Sequence, residues 1–249
     1  NQKIINKGKF YTYKQMVDSI DVLARHGLKS VLLIGGGEPT LHPDFERIVM
    51  YLKKKKMQVG VVTNGSFMEK IIAVSDVLGK GDWVRLSVDA GTNKTFEKLH
   101  RPVIKITLDK ICRNVAKLKK KNKNLSVGYS YVIIWEGIKI NGVKMPSNVN
   151  EIPIAAKLAK KSGFDYISFK PCMIKMYPSN IESLLHCEGK KFKETILKKI
   201  ENKIREAEKI GGNAIKVVTT KNLKAFFTGK SLVFRSQPRY CHSQVFRQI

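Results

Sequence analysis

Five times between residues 30 and 170 a short apolar run gives way to a longer amphipathic stretch, and this alternation leaves very few architectures open. The runs lie at 30–34, 59–63, 83–88, 125–134 and 166–170, and a sixth at 215–219 reads as a further strand. The stretches at 13–26, 43–56, 67–79, 93–100, 105–121, 149–162 and about 190–210 carry apolar residues at helical spacing. Thr12 is placed to cap the first helix, Gly27 to end it and Pro43 to open the second. The run SVLLI at 30–34 is apolar throughout, which predicts a strand buried on both faces. Strands alternating with helices make right-handed β–α–β units and a parallel sheet. Units repeated in an unbroken rhythm predict an α/β fold, a full or partial (β/α) barrel. Chemistry in that architecture sits on the loops after the strand C-termini. The longer stretches 135–148 and 171–189 are expected to be irregular loops that touch substrate.

With 249 residues the chain can form one large domain or two small ones and bury a core without staples. No apolar run approaches the roughly 18 residues of a membrane span, and no signal-peptide pattern opens the chain. The four cysteines, Cys112, Cys172, Cys187 and Cys241, form no CxxC pair. That argues against a disulfide scaffold or zinc ribbon and makes a reducing cytoplasm the expected compartment. Cys112 falls on the apolar stripe of 105–121 and reads as a core residue. Lys plus Arg number 47 against 20 Asp plus Glu, a net charge of +27, so a polyanionic partner is one reading of the surface. Lysine predominates and clusters near helix ends and outer faces, which favours the plainer reading of a solvated surface.

Three loops at strand ends carry polar groups suited to chemistry. Gly35-Gly36-Gly37-Glu38 follows SVLLI directly; three glycines let a ligand approach the backbone, and the carboxylate beside them suits an ammonium or sulfonium. The loop is neither GxGxxG nor GxxxxGK, so dinucleotide and Walker-type phosphate binding lose support. Thr63-Asn64-Gly65-Ser66 follows the second strand and, alone, is an ordinary turn. Ser87 and Asp89 lie two apart and share one face of the third strand, a reasonable partner for ribose hydroxyls. Arg101 ends the helix 93–100, where it is either a carboxylate partner or a helix-terminal cation. Histidines show no HxxH or HExxH spacing, and no GxSxG occurs.

Taken together, GGGEPTLHPDF, VVTNGS and RLSVDAGTNKTFEKLHRP, in this order on successive strands, resemble the radical SAM superfamily across residues 12–171. The resemblance implies a partial (β/α)6 TIM-like barrel at 1–219 with S-adenosylmethionine (SAM) at the strand C-terminal mouth. It also implies that Gly35, Gly36, Gly37 and Glu38 hold the methionyl amino group and that Asn64 sits in the family's TNG turn. Ser87 and Asp89 match the strand that contacts ribose and methionyl groups, with Ala90 standing where glycine is usual. Arg101 matches an arginine that pairs with the SAM carboxylate in the peptide-modifying, SPASM-type branch. Lys170, in Phe169-Lys170-Pro171, fits the adenine-side strand.

The family's CxxxCxxC, which would hold a [4Fe–4S] cluster, does not occur in the sequence. The cluster loop is expected just before Asn1. Residues 220–249 resemble a linker and the entry to a SPASM or twitch domain, in which Cys241 would be the first ligand of an auxiliary [4Fe–4S] cluster. The implied activity is reductive cleavage of SAM to a 5′-deoxyadenosyl radical, followed by hydrogen abstraction from a substrate. A peptide or protein is favoured over a small molecule, and an electron donor such as flavodoxin or ferredoxin is required. Two other readings stand beside it: a cluster-free SAM-binding homologue, and a basic RNA-binding or RNA-modifying barrel.

Overall fold

The structure, a computed structural model, describes residues 11–35, 37–102, 104–140, 142–176, 181–184 and 190–228. The chain begins with helix α1 (Tyr13–Arg25), capped by Thr12 and Gln15 in a reciprocal capping box. Strand β1 (Ser30–Leu33) and a 3-10 turn at Pro39–Leu41 lead to α2 (Phe45–Lys54). There follow β2 (Gln58–Thr63), α3 (Met68–Ala73), β3 (Trp83–Ser87), α4 (Asn93–His100), α5 (Leu108–Lys121) and β4 (Ser126–Ile133). A hairpin of β5 (Lys139–Ile140) and β6 (Val143–Lys144) precedes α6 (Ile152–Ser162) and β7 (Tyr166–Pro171). A second hairpin, β8 (Met173–Met176) and β9 (Ile181–Leu184), is followed by α7 (Lys190–Gly211), β10 (Lys216–Thr219) and α8 (Lys221–Thr228).

Six strands form one wholly parallel sheet in the order β1-β2-β3-β4-β7-β10. No ladder joins β1 to β10 among the described residues, so the barrel is open, in keeping with the partial (β/α)6 expectation. Alternation along each strand assigns its faces. Val84, Leu86 and Val88 of the third unit and Val127, Tyr129, Tyr131 and Ile133 of β4 are buried under the helices. Complete burial of each such side chain contributes about 1.5–3 kcal/mol. Tyr129 packs on Phe164 and Tyr131 on Phe169, and both hydroxyls find backbone acceptors, at Ala90 and Asn148. Cys112 is buried in the same layer, as its position on the stripe predicts.

Four sequence expectations need correction. SVLLI is not buried on both faces: Leu32 is 47% and Ile34 49% exposed, because β1 is an edge strand whose concave side no described layer covers. Pro43 does not open α2; the Pro39–Leu41 turn comes between, and the helix starts at Phe45 after Asp44. The helix expected over 67–79 stops at Ala73 and resumes as a 3-10 turn at Ser75–Val77. There the Ser75 hydroxyl donates to the Ile72 carbonyl at 2.8 Å and so competes with the helical ladder. Finally, 135–148 and 171–189 are not wholly irregular, since each contains a two-stranded antiparallel hairpin.

Two carboxylates, the buried Asp82 and the exposed Asp165, lock the strand N-termini. Asp82 accepts from the Val59 and Gly79 amides, each at 2.7 Å, and pairs with Lys53 at 2.8 Å. Asp165 likewise joins the Val127 amide to Lys119. The rigid base leaves the opposite end, the strand C-termini, as the place where loops converge.

Candidate functional site at the strand C-termini

Glu38 is the centre of this mouth. Its Oε1 accepts three hydrogen bonds, from the Thr40 amide (3.1 Å), the Thr40 hydroxyl (2.6 Å) and the Thr63 hydroxyl (2.7 Å). Its Oε2 accepts one, from the Asn64 amide at 2.6 Å. The carboxylate therefore ties the glycine loop after β1 to the Thr63-Asn64-Gly65 turn after β2. Each carboxylate oxygen offers about two acceptor positions; Oε1, with three donors, is saturated and Oε2 keeps room for one more donor. Asn64 closes its own turn by accepting from the Ser66 amide at 2.8 Å. Gly37 is exposed, and a side chain there would meet nothing within 4 Å, so its backbone lies open to a ligand. Gly35 lies in the loop just after β1, while Gly36 lies outside the described residues.

Ser87 and Asp89 do share the concave face. The Ser87 hydroxyl makes no hydrogen bond among the described residues, so it is available to a ligand. Asp89 is committed elsewhere in part: Oδ1 accepts from the Val132 amide at 2.7 Å, and Oδ2 lies 3.5 Å from His100 Nε2. Asp89 has φ +55°, a left-handed conformation that Asp tolerates better than most residues. The positive φ falls on Asp89 and not on Ala90, which explains why alanine is accepted where the family usually has glycine.

Lys170 projects from β7 onto the same face and donates to the Ser130 hydroxyl at 3.1 Å. Burial first, and then the Arg85 charge, hold its ammonium below the usual lysine range, with Asp89 acting in the opposite sense. Arg101 follows α4 as its left-handed C-cap, with φ +43°; its exposed guanidinium has no partner among the described residues. Glu38 and Asn64 are thus brought into direct contact, while Ser87 and Asp89 stand at the end of β3 and Lys170 on β7, with β4 between them. No contact ties Arg101 to them. Cys241 lies outside the described residues.

Sequence reasoning missed three residues, of which the first two hold this mouth in shape. Asn148 is fully buried and staples the ends of β3 and β4, donating to the Asp89 and Val132 carbonyls (2.8 Å each) and accepting from the Ile134 amide (2.8 Å). Glu151 accepts from the Gly91 and Thr92 amides and from the Thr92 and Thr95 hydroxyls, which fixes the start of α4. Arg85 occupies the concave face two residues below Ser87. Its position was readable, because Arg85, Ser87 and Asp89 alternate in phase along one strand.

The sequence profile of the Radical SAM superfamily matches residues 2–136. Among curated proteins, an S-adenosylmethionine-dependent nucleotide dehydratase from Selenomonas ruminantium is 35% identical over 86 residues, 34% of this chain and 31% of that protein. The chain spans less than half the length of the curated relatives it matches first. Among solved structures, Streptococcus suis SuiB superposes with a TM-score of 0.59 at 13% identity, over 86% of this chain and 44% of that one. The protein anSMEcpe, solved with bound AdoMet and a Kp18Cys peptide, gives a TM-score of 0.55 at 17% identity, over 84% of this chain and 56% of that one. These two likenesses concern the fold.

Membership of the family implies SAM and a [4Fe–4S] cluster. The residues at the mouth fit SAM: an acceptor position left on Glu38 Oε2, uncovered backbone at Gly37 and the unpartnered hydroxyl of Ser87. They do not fit the cluster, for among the described residues no three His, Cys, Asp or Glu side chains come together as metal ligands. Cys112 and Cys172 are buried thiols. A matched profile over more than half of the chain and an open parallel (β/α)6 sheet of the same fold lead to one conclusion: this chain belongs to the radical SAM superfamily of enzymes.

Proposed function

We propose that the mouth formed by Gly35–Glu38, Asn64, Ser87, Asp89 and Lys170 binds SAM, and that the concave face below it receives the substrate. The observation that carries the reading is Glu38, a carboxylate at the mouth with one acceptor position free beside an uncovered glycine backbone. An ammonium placed there gains a charge-assisted hydrogen bond. Ser87 offers its hydroxyl to the ribose, Lys170 lies on the adenine side, and Arg101 pairs with the methionyl carboxylate. Bound there, SAM would supply, with electrons from a reduced cluster, the hydrogen-abstracting radical chemistry of the family. The chain's own residues bind and orient SAM and exclude water.

The proposal extends to the rest of the protein. A SPASM-like extension beyond residue 219, with Cys241 in an auxiliary [4Fe–4S] cluster, and a flavodoxin or ferredoxin as electron donor belong to it. So does a reducing cytoplasm, where the free thiols Cys112 and Cys172 would persist. No helix among the described residues is long and apolar enough to cross a membrane. A peptide or protein substrate has the support of Arg101 and of a shared fold with a peptide-bound structure. A nucleotide or other small anionic substrate has the support of the nucleotide dehydratase relative and of cations on the concave face.

Equilibrium dialysis with SAM tests the reading. One saturable site, weakened in Arg101→Ala and in Glu38→Gln, is expected. No saturable binding, or binding indifferent to both substitutions, overturns it.

A further inference from the structure

The concave face holds a charged side chain that the SAM reading does not use. Arg85 lies in the middle of β3, paired across the sheet with Val62 on one side and Gly128 on the other. Its Nε is buried and has no hydrogen-bond partner, and no ion pair involves its guanidinium among the described residues. An unsatisfied charged donor inside a sheet is costly, and native structures retain one chiefly where something else completes it.

The surroundings are shaped around that group. Gly60 lies under the Trp83 ring and Gly128 under the Tyr166 ring; a Cβ at either glycine would stand 2.5 Å or less from the ring above it. The two rings thus lean across glycine positions on either side of Arg85, and the guanidinium sits 5.7 Å from the Trp83 ring centroid. On the strand N-terminal side of Arg85, these side chains line an open cavity of about 340 Å³ together with Gly81, Asp82 and Ser126. One step toward the mouth, Ser87, Ser130 and Ser168 stand in register across three neighbouring strands. Ser130 accepts from Lys170, while the Ser168 hydroxyl makes no hydrogen bond among the described residues.

We propose that Arg85 and Lys170, with the hydroxyls of Ser130 and Ser168, hold an anionic group of the substrate, a phosphate or a carboxylate, inside the concave face. Arg85 is then a specificity-determining residue. Two cations of the same sign on one face repel each other, and an anion between them relieves that repulsion and completes the orphaned Nε. Spacing supports the assignment. At about 3.3 Å per residue, Arg85 lies roughly 7 Å below Ser87 and about 13 Å below Asp89. A substrate anchored by its anion at Arg85 therefore presents carbon atoms about a pentose's length away at the SAM level. The inference rests on the reading of the concave face as the substrate chamber, but its test requires neither SAM nor a cluster. The two sites share Lys170 alone, so the Arg85 variants separate them: failure here leaves SAM binding at the mouth intact, and failure of SAM binding leaves the Arg85 site intact.

Calorimetric titration of the protein with inorganic phosphate, and separately with glutarate, at about 0.15 M salt to screen the general positive field, gives the test. One saturable site is expected, weakened at least tenfold in Arg85→Met and partly kept in Arg85→Lys. Because Arg85 has no hydrogen-bond or ion-pair partner to lose among the described residues, only a distant contact with the Trp83 ring, Arg85→Met should keep the wild-type circular dichroism spectrum and a melting temperature within a few degrees of wild type. Should that variant fail to fold, Lys170→Met must weaken the same site by a similar factor. Preference for phosphate assigns a phosphorylated substrate, and preference for glutarate a carboxylate-bearing one. Absence of saturable binding by both probes overturns the proposal, as does affinity unchanged in folded Arg85→Met.

Discussion

Replacing Glu38 by Gln keeps the side chain's size and removes its charge, and the structure separates the consequences. Glutamine can leave its carbonyl oxygen where Oε1 stands, still accepting from the Thr40 amide and the Thr40 and Thr63 hydroxyls. Its amide group must then face the Asn64 amide, now 2.6 Å from Oε2, so a donor meets a donor. That contact is solvent-accessible, and water can replace part of it, which places the folding cost at about 1–2 kcal/mol. For a domain of this size the melting temperature should fall by roughly 2–8 °C. The effect on SAM is separate. Loss of the charge-assisted bond from Oε2 to an ammonium costs about 1.5–3 kcal/mol, or roughly 10- to 150-fold in Kd. Dialysis and thermal melts on one preparation give both numbers. A lowered melting temperature with unchanged SAM affinity would show that Glu38 is only a strut between two loops, and the reasoning about the mouth would be wrong.

Other expectations follow from the same packing. Asp82→Ala leaves Lys53 without its partner and strips the Val59 and Gly79 amides of an acceptor, so denaturant melts should show a loss of about 3–5 kcal/mol; a loss under about 1 kcal/mol contradicts the account of the sheet's base. Gly128→Ala sets a methyl 2.0–2.5 Å from the Tyr166 ring and should cost about 1–3 kcal/mol, with most of the loss recovered in the double variant with Tyr166→Ala; strict additivity would refute the contact. Burial pushes the Cys112 thiol up to about 11. The folded state keeps this proton where the unfolded chain releases it, so the stabilisation is whole below about pH 9 and is lost as pH rises toward about 11, on the order of 2–3 kcal/mol. Subtracting the pH profile of Cys112→Ala from that of the wild type isolates the slope, and identical profiles would sink it.

The rhythm of apolar runs carried the sheet because parallel strands are buried and helices amphipathic, so both periods are written directly in residue order. SVLLI misled because an apolar run records what a strand can bury, and at an edge nothing described covers Leu32 and Ile34. The first hairpin had its signal: Asn141-Gly142 is a two-residue turn pair, and Gly142 takes the expected left-handed conformation, φ +78°. Ser75 illustrates a different limit, since a hydroxyl that bonds back to Ile72 ends a helix that the apolar spacing continues. At the site, the loop glycines and Glu38 were readable as polar groups at strand ends. What was not readable is that Glu38 Oε1 already accepts three bonds from Thr40 and Thr63 and Oε2 one from the Asn64 amide, so that only Oε2 has a position left. Asn148 and Glu151 were hidden for the same reason: their partners lie 14 to 60 residues away in sequence.

Hydrogen–deuterium exchange of the protein with and without SAM tests the central claim most directly. The account predicts that SAM slows exchange of the amides at 35–40, 64–66 and 87–91, on three successive strand ends, and leaves the strand N-termini near Asp82 and Asp165 unchanged. Protection absent from all three segments, or confined to the strand N-termini, would contradict SAM binding at this mouth.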